Sequence, residues 1–206
     1  MNEYTSYKLR LKSAVLQEAR RCFLQYGIRI VKMDDIARNL GVSKRTVYEL
    51  YATKEELLCE VIRALHEERN KSVQELFATC DNNMDLLIGV LGLQLKSAAA
   101  VNFAFFKDIQ KYPQAEKLIN EYYKQQNVYA AEFFAKGVEE GFFLPTVDYT
   151  VLNRVASGTM EMLSKDERFD DLSYRELFLG YLYVMVRGFC TVKGIEKMDK
   201  FVEKNF

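Results

Sequence analysis

Two prolines in 206 residues, no tryptophan, one histidine and no long apolar run set the first limits on this chain. So few prolines leave the backbone free to run as helix almost throughout, and no stretch alternates apolar and polar residues with a period of two, so an all-α fold is expected. The longest apolar run, 177–186, has ten residues with Gly180 inside it, about half the length that spans a bilayer. The N-terminus has no basic segment followed by an apolar run and a cleavage site. Neither secretion nor a membrane is expected, and a cytoplasmic location is.

Cys22, Cys59, Cys80 and Cys190 lie far apart, with no Cys-x-x-Cys pair. That pattern points to buried free thiols in a reducing compartment and away from disulfides or zinc. A glycine-rich phosphate loop, His-Glu-x-x-His and Gly-x-Ser-x-Gly are all missing. His66 stands beside Glu67 and Glu68 on the polar side of a helix. The carboxylate pairs Asp34-Asp35, Glu139-Glu140 and Asp170-Asp171 are adjacent in sequence and so point to different faces. An enzyme, a metal site and a cofactor are therefore not expected.

What is present begins with residues 33–51, which read as two short helices folded across a tight turn. Ile36, Ala37 and Leu40 recur at one-face helical spacing, Gly41 can enter a left-handed turn without a Cβ penalty, and Val42 turns back under the pair. Ser43 then opens a second helix, its hydroxyl placed to accept an orphan backbone N–H, while Val47 and Leu50 pack back on Ala37. With those residues inward, Lys44, Arg45, Thr46, Tyr48 and Glu49 are left on the outer faces, and several of them are donors suited to phosphates and base edges. Thr53 and Glu56 form a capping box that starts a further helix at Lys54. The charge distribution agrees. Residues 1–60 carry eleven Lys or Arg against eight Asp or Glu, whereas residues 61–206 carry eighteen against twenty-one, so a neutral chain has its basic end at the helix-turn-helix.

Asp35-Ile36-Ala37, Gly41-Val42-Ser43-Lys44, Thr46-Val47-Tyr48 and Lys54-Glu55-Glu56-Leu57 together resemble the N-terminal signature of the tetracycline-repressor (TetR) family of regulators, over about the first quarter of the chain. The resemblance implies an N-terminal three-helix DNA-binding domain (1–53), a connector helix (54–80) and a C-terminal helical bundle for ligand binding and dimerisation (81–206). It implies that Lys44, Arg45 and Thr46 enter the major groove of a palindromic double-stranded operator, with Arg45 the base reader, and that Tyr48, Lys54 and Lys32 hold phosphates. Two positions depart from the family. Lys32 stands where a capping Thr is usual, and a lysine cannot cap a helix, although its ammonium can reach a phosphate. Arg45 stands where many members carry a small residue and supplies a forked donor matched to guanine.

Helix one is expected over 6–26 with Gly27 as its stop, and helix four over 54–77, with Asp81-Asn82-Asn83 as the linker that follows. Later helices are expected at 84–100, 102–111, 113–140, 148–164 and 173–193. Nine aromatic residues fall between Phe103 and Phe134. These rings can fill a helical core or line an apolar ligand cavity, and both can hold together. The resemblance favours a cavity for a small-molecule effector, with Phe103, Phe106, Tyr123, Tyr129, Phe133 and Met160 as its candidate residues. In the last two long helices Ala156 and Gly158 give one a small surface, while Gly180, Val184 and Gly188 lie four apart on the other. Leu177 and Tyr181 belong to a stretch that is apolar on nearly every face. Such a helix is either buried within one subunit or covered by a second copy, and the resemblance favours a homodimer. The reading is a ligand-released repressor, with an activator or a helical protein-binding adaptor as the alternatives.

Overall fold

The computed structural model describes residues 3–99, 101–102, 104–165, 167–169 and 172–206. Among them no strand forms, and the one β-bridge pairs Phe143 with Cys190. The helices are α1 (Glu3–Tyr26), α2 (Met33–Asn39), α3 (Lys44–Leu50), α4 (Lys54–Thr79), α5 (Asn83–Ala99), α6 (Ala104–Ile109), α7 (Pro113–Glu139) and α8 (Tyr149–Lys165). A 3-10 turn (Glu167–Phe169), α9 (Tyr174–Leu177), a π-helical turn (Phe178–Leu182), α10 (Tyr183–Phe189) and α11 (Val192–Asn205) complete the chain. Contacts divide it into two units that do not follow chain order: Met1–Asn70 with Ala100–Glu121, and Lys71–Ala99 with Tyr122–Phe206.

In the first unit the buried stripe of α1, Val15, Ala19, Cys22 and Phe23, recurs every three or four residues. Ile36, Ala37, Val47, Tyr51, Leu57, Leu58, Val61 and Ile62 are buried in the same unit. Each large side chain contributes about 1.5–3 kcal/mol by leaving water. The short α6 belongs here too. Asn102 donates its N–H to the Leu24 carbonyl at 2.7 Å and its side-chain amide to Gln25 at 3.3 Å, satisfying the last carbonyls of α1.

In the second unit Met84, Leu91, Phe142, Phe143, Phe178, Val186, Phe189, Cys190 and Met198 form the core. The C-terminal end departs from the single helix expected over 173–193. It contains a π turn, stops at Phe189, and resumes as a separate helix, α11. Cys190 is extended because its neighbours are claimed by the loop after α7: Leu144 donates to the Phe189 carbonyl at 2.9 Å, and Thr191 donates its N–H to Phe142 at 2.9 Å. The Thr191 hydroxyl then caps α11 at Gly194 and also reaches the Gly141 carbonyl at 2.7 Å. Lys197 ties α11 to the start of α5 through both oxygens of Asp85 at 2.7 Å.

Candidate nucleic-acid interface

The turn between α2 and α3 is built by its sequence. Gly41 has φ +65°, Gly41 donates to Arg38 at 3.1 Å, and Val42 donates to Ala37 at 3.0 Å. This is the paired hydrogen-bond closure of a helix ending on a left-handed residue. Ser43 is extended, and its Oγ accepts the Thr46 N–H at 3.1 Å and shares a hydrogen bond with the Thr46 hydroxyl at 2.7 Å. Ile36, Ala37 and Val47 are buried and Leu40, Val42 and Leu50 are half-buried, as the spacing requires.

The outer face of α3 is an array of ion pairs. Arg45 is 88% exposed, and its Nε meets Glu49 one turn on at 2.9 Å, so Glu49 holds the arginine along the helix. Lys44 reaches back to Asp34 of α2 at 2.9 Å, and that bond raises its pKa. Its ammonium also lies 5.7 Å from the centre of the exposed Tyr48 ring. Such surface pairs are each worth about 0–1 kcal/mol, little enough for a phosphate or base edge to displace the carboxylate. The pairs thus lay Lys44 and Arg45 across the outer face through contacts weak enough to be exchanged.

Lys32 occupies the N-cap of α2 with an extended backbone and makes no cap bond of its own. The missing cap is replaced from the other side: the Asp35 carboxylate accepts the Lys32 N–H at 2.9 Å. The Lys32 side chain stays exposed. Lys54 is placed differently. It is half-buried, with its ammonium donating to the Arg29 carbonyl at 3.3 Å and lying about 6 Å from the rings of Phe23 and Tyr112. Burial pushes its pKa down, with Asp108 and Asp35 acting in the opposite sense. Thr53 caps α4 as expected through the Glu56 N–H at 3.0 Å, while the Glu56 carboxylate takes the Ala52 N–H.

Two carboxylates that hold this unit together were not singled out in the sequence. Asp108 of α6 is buried and accepts the Arg29 N–H at 2.7 Å. Seventy-nine positions separate the two residues, so no local pattern could show the contact. Glu18 of α1 binds Arg21 and accepts from Asn39 at the end of α2 at 2.7 Å. The Arg21 hydrogen bonds, more than the opposing burial, bring its pKa from 4.5 down to about 2. A carboxylate with a depressed folded-state pKa stabilises above its unfolded value and loses that contribution as pH falls through the folded value. Glu18→Gln should therefore lower stability at pH 7 by about 1–2 kcal/mol and flatten the acid loss between pH 4.5 and about 2. Thermal melts of parent and variant across that range check it; parallel curves would mean Glu18 is not the residue that links stability to pH there.

The other sequence candidates fall in several places. Phe106 and Tyr123 are exposed, while Phe133 packs edge-on against Phe134 at 5.2 Å and tilted against Phe143 at 5.9 Å. Phe103 and the side chains of Tyr129 and Met160 lie outside the described residues. A hollow of about 380 Å³ is lined instead by Thr159, Met162, Phe169, Leu172, Glu176, Leu177, Gly180 and Tyr181. On α8 and from α9 through α10, Gly158, Gly180, Val184 and Gly188 are exposed, and Ala156, Leu177 and Tyr181 are half-buried. Among the described residues no group of His, Cys, Asp and Glu could hold a metal, and no helix is long and apolar enough to cross a membrane.

Residues 15–61 match the family model described as bacterial regulatory proteins, tetR family. The chain is 24% identical over 156 residues to the Mycobacterium tuberculosis HTH-type transcriptional repressor KstR2, covering 72% of this chain and 76% of that protein. It is 33% identical over 64 residues to the Bacillus subtilis HTH-type transcriptional regulator YhgD, covering 31% of this chain and 34% of that one. Among solved structures, a TetR-family regulator from Agrobacterium tumefaciens superposes with a TM-score of 0.72 at 14% identity, over 89% of this chain and all of the other. The ketosteroid transcriptional regulator KstR2 of Mycobacterium tuberculosis gives 0.60 at 21% identity, over 87% and 95%.

Proposed function

Because this chain belongs to the TetR family of DNA-binding transcriptional regulators and is not an enzyme, we propose that it is a homodimeric repressor. It occludes a palindromic operator and leaves it when a small apolar or aromatic ligand binds. The observation that carries the DNA reading is Arg45, exposed on the first turn of the Ser43-capped α3 and steadied by Glu49. A recognition helix reads bases with its N-terminal residues, and a forked guanidinium matches the O6 and N7 acceptors of guanine. Lys44 and Thr46 share that turn, while Tyr48, Lys32 and Lys54 serve the phosphates, Lys54 by exchanging the Arg29 carbonyl for a phosphate oxygen. Occlusion requires nothing beyond two such helices, and the Mycobacterium tuberculosis relative is itself a repressor.

For the effector, the half-open hollow lined by Phe169, Leu172, Leu177 and Tyr181, which shares Met162 and Gly180 with the exposed faces of α8 and the π turn, has the volume of a small ligand site, with Thr159 and Glu176 as polar groups on an apolar wall. A gel-shift screen against the DNA flanking the protein's own coding region, with and without lipophilic compounds, tests the whole reading. A retarded band that a compound dissolves supports it; no retarded band with any fragment overturns it.

Within that screen Arg45→Ala should weaken the specific complex about ten- to a hundredfold and relax preference at one base position per half-site. Selection from randomised operators reads this directly, and a base preference unchanged at every position removes Arg45 as a reader.

A further inference from the structure

The family match begins at residue 15, yet α1 begins at Glu3, so three turns of helix precede it. Lys8 and Lys12 lie on those turns, four residues apart and therefore on one face, which continues directly into the buried stripe Val15, Ala19 and Cys22. Both are exposed. Lys12 shows where that face leads: its ammonium lies 5.3 Å from the centre of the buried Tyr51 ring. Tyr51 is the residue that closes α3 and precedes the start of α4. Lys8 stands one turn, about 6 Å, further out along the same face. Glu56 and Glu60, the carboxylates that act on Tyr51, make their contacts elsewhere. Glu56 is held by the Ala52 N–H, Glu60 is paired with Arg63, and among the described residues no carboxylate pairs with Lys8 or Lys12.

Resting on the operator-binding reading above, we propose that Lys8 and Lys12 form an additional phosphate-binding edge of the DNA interface. This edge extends the footprint past the C-terminal end of the recognition helix onto the flanking backbone. Two ammonium groups on one face, neither paired with a carboxylate among the described residues, suit a row of phosphates, and the contact carries no sequence information. Arg10 lies two residues on, about 200° around the helix, and belongs to the opposite face.

The test measures affinity against potassium chloride concentration for a duplex that the parent protein selects from a randomised pool, using the Lys8→Gln/Lys12→Gln variant. The slope of log affinity on log salt should fall in magnitude by about one for each lost contact in each half-site, with base preference unchanged. Arg10→Gln should leave the slope as it is. Lys8→Gln alone, at a position outside the core, should show its share even if Lys12 also supports folding through Tyr51. An unchanged slope in both Lys8→Gln and the double variant overturns the proposal, as does an equal fall in Arg10→Gln, which would mark a diffuse charge effect. Failure of the parent protein to select any duplex overturns the operator reading itself and is thereby distinguished.

Discussion

Val184→Glu should leave a folded monomer that no longer holds a palindromic operator. Val184 is 59% exposed in the single chain, on a stripe with Gly180 and Gly188, where an added Cβ would meet nothing within 4 Å. On α8, Val151, Val155, Gly158 and Met162 make a second exposed stripe at helical spacing. A carboxylate at an exposed position costs the monomer little. Between two copies it would be buried without a partner, a penalty of several kcal/mol that a two-fold axis applies twice. In the proposed dimer, losing the partner removes the second recognition helix, which must sit about 34 Å from the first to engage both half-sites of a palindrome. With one helix bound, the second binding event would no longer be intramolecular, and operator affinity should fall by about a hundredfold or more. Light scattering and operator titration on the same sample check both halves. A dimer that persists with Glu at this position would place the subunit contact elsewhere.

How much of the molecule could be read from its residues follows the range of the interactions. The helix-turn-helix was legible because its determinants are neighbours: Gly41 closes α2 onto Ala37 and Arg38, and Ser43 caps α3 within three residues. Even the compensation for Lys32 lay within reach, since Asp35 stands at the third helical position, where the acidic half of a capping box belongs. The clamp on Arg29 was not legible, because Asp108 comes from a different helix far along the chain. The break between α10 and α11 escaped for the same reason. No proline marks Cys190, Gly188 stays inside α10, and the strand-like residue is set by its bridge to Phe143. The aromatic density was visible, but its use was not. Phe133, Phe134, Phe143, Tyr149 and Phe189 stack and tilt on one another with centroid separations from 4.5 to 6.4 Å. They form packing, whereas the hollow lies among residues of α8, the 3-10 turn, α9 and the π turn. At the DNA face, the exposure of Arg45 follows from helical period alone, but the roles of Asp34 and Glu49 as tethers required the side-chain geometry.

Gly137→Ala should destabilise the C-terminal unit, against the ordinary preference of helices for alanine. Gly137 lies in the last turns of α7, and its carbonyl accepts the N–H groups of both Phe142 at 3.0 Å and Phe143 at 3.2 Å, while Gly141 takes the left-handed φ of +76° that reverses the chain. That closure lays the Phe143 ring directly over the glycine. A Cβ at position 137 would fall against Cδ2 and Cε2 of the ring, well inside van der Waals contact. The ring has nowhere to retreat, because it is 1% exposed and bounded by Phe134 at 5.7 Å and Phe189 at 5.5 Å. Replacing glycine by alanine in a helix interior is worth about 1 kcal/mol in favour of alanine, whereas forcing a methyl into a packed site costs about 1–3 kcal/mol or more. With the ring held on two sides the upper end of that cost applies, so the net effect should be a loss of about 2 kcal/mol and a clearly lower melting temperature. Gly92→Ala is the matched comparison, since its Cβ would meet the Phe201 ring at an ordinary 3.6 Å; it should hold or raise stability by up to about 1 kcal/mol. If both variants melt alike, the crossing at Gly137 is looser than this packing requires, and the aromatic cluster has room for the ligand that its sequence first suggested.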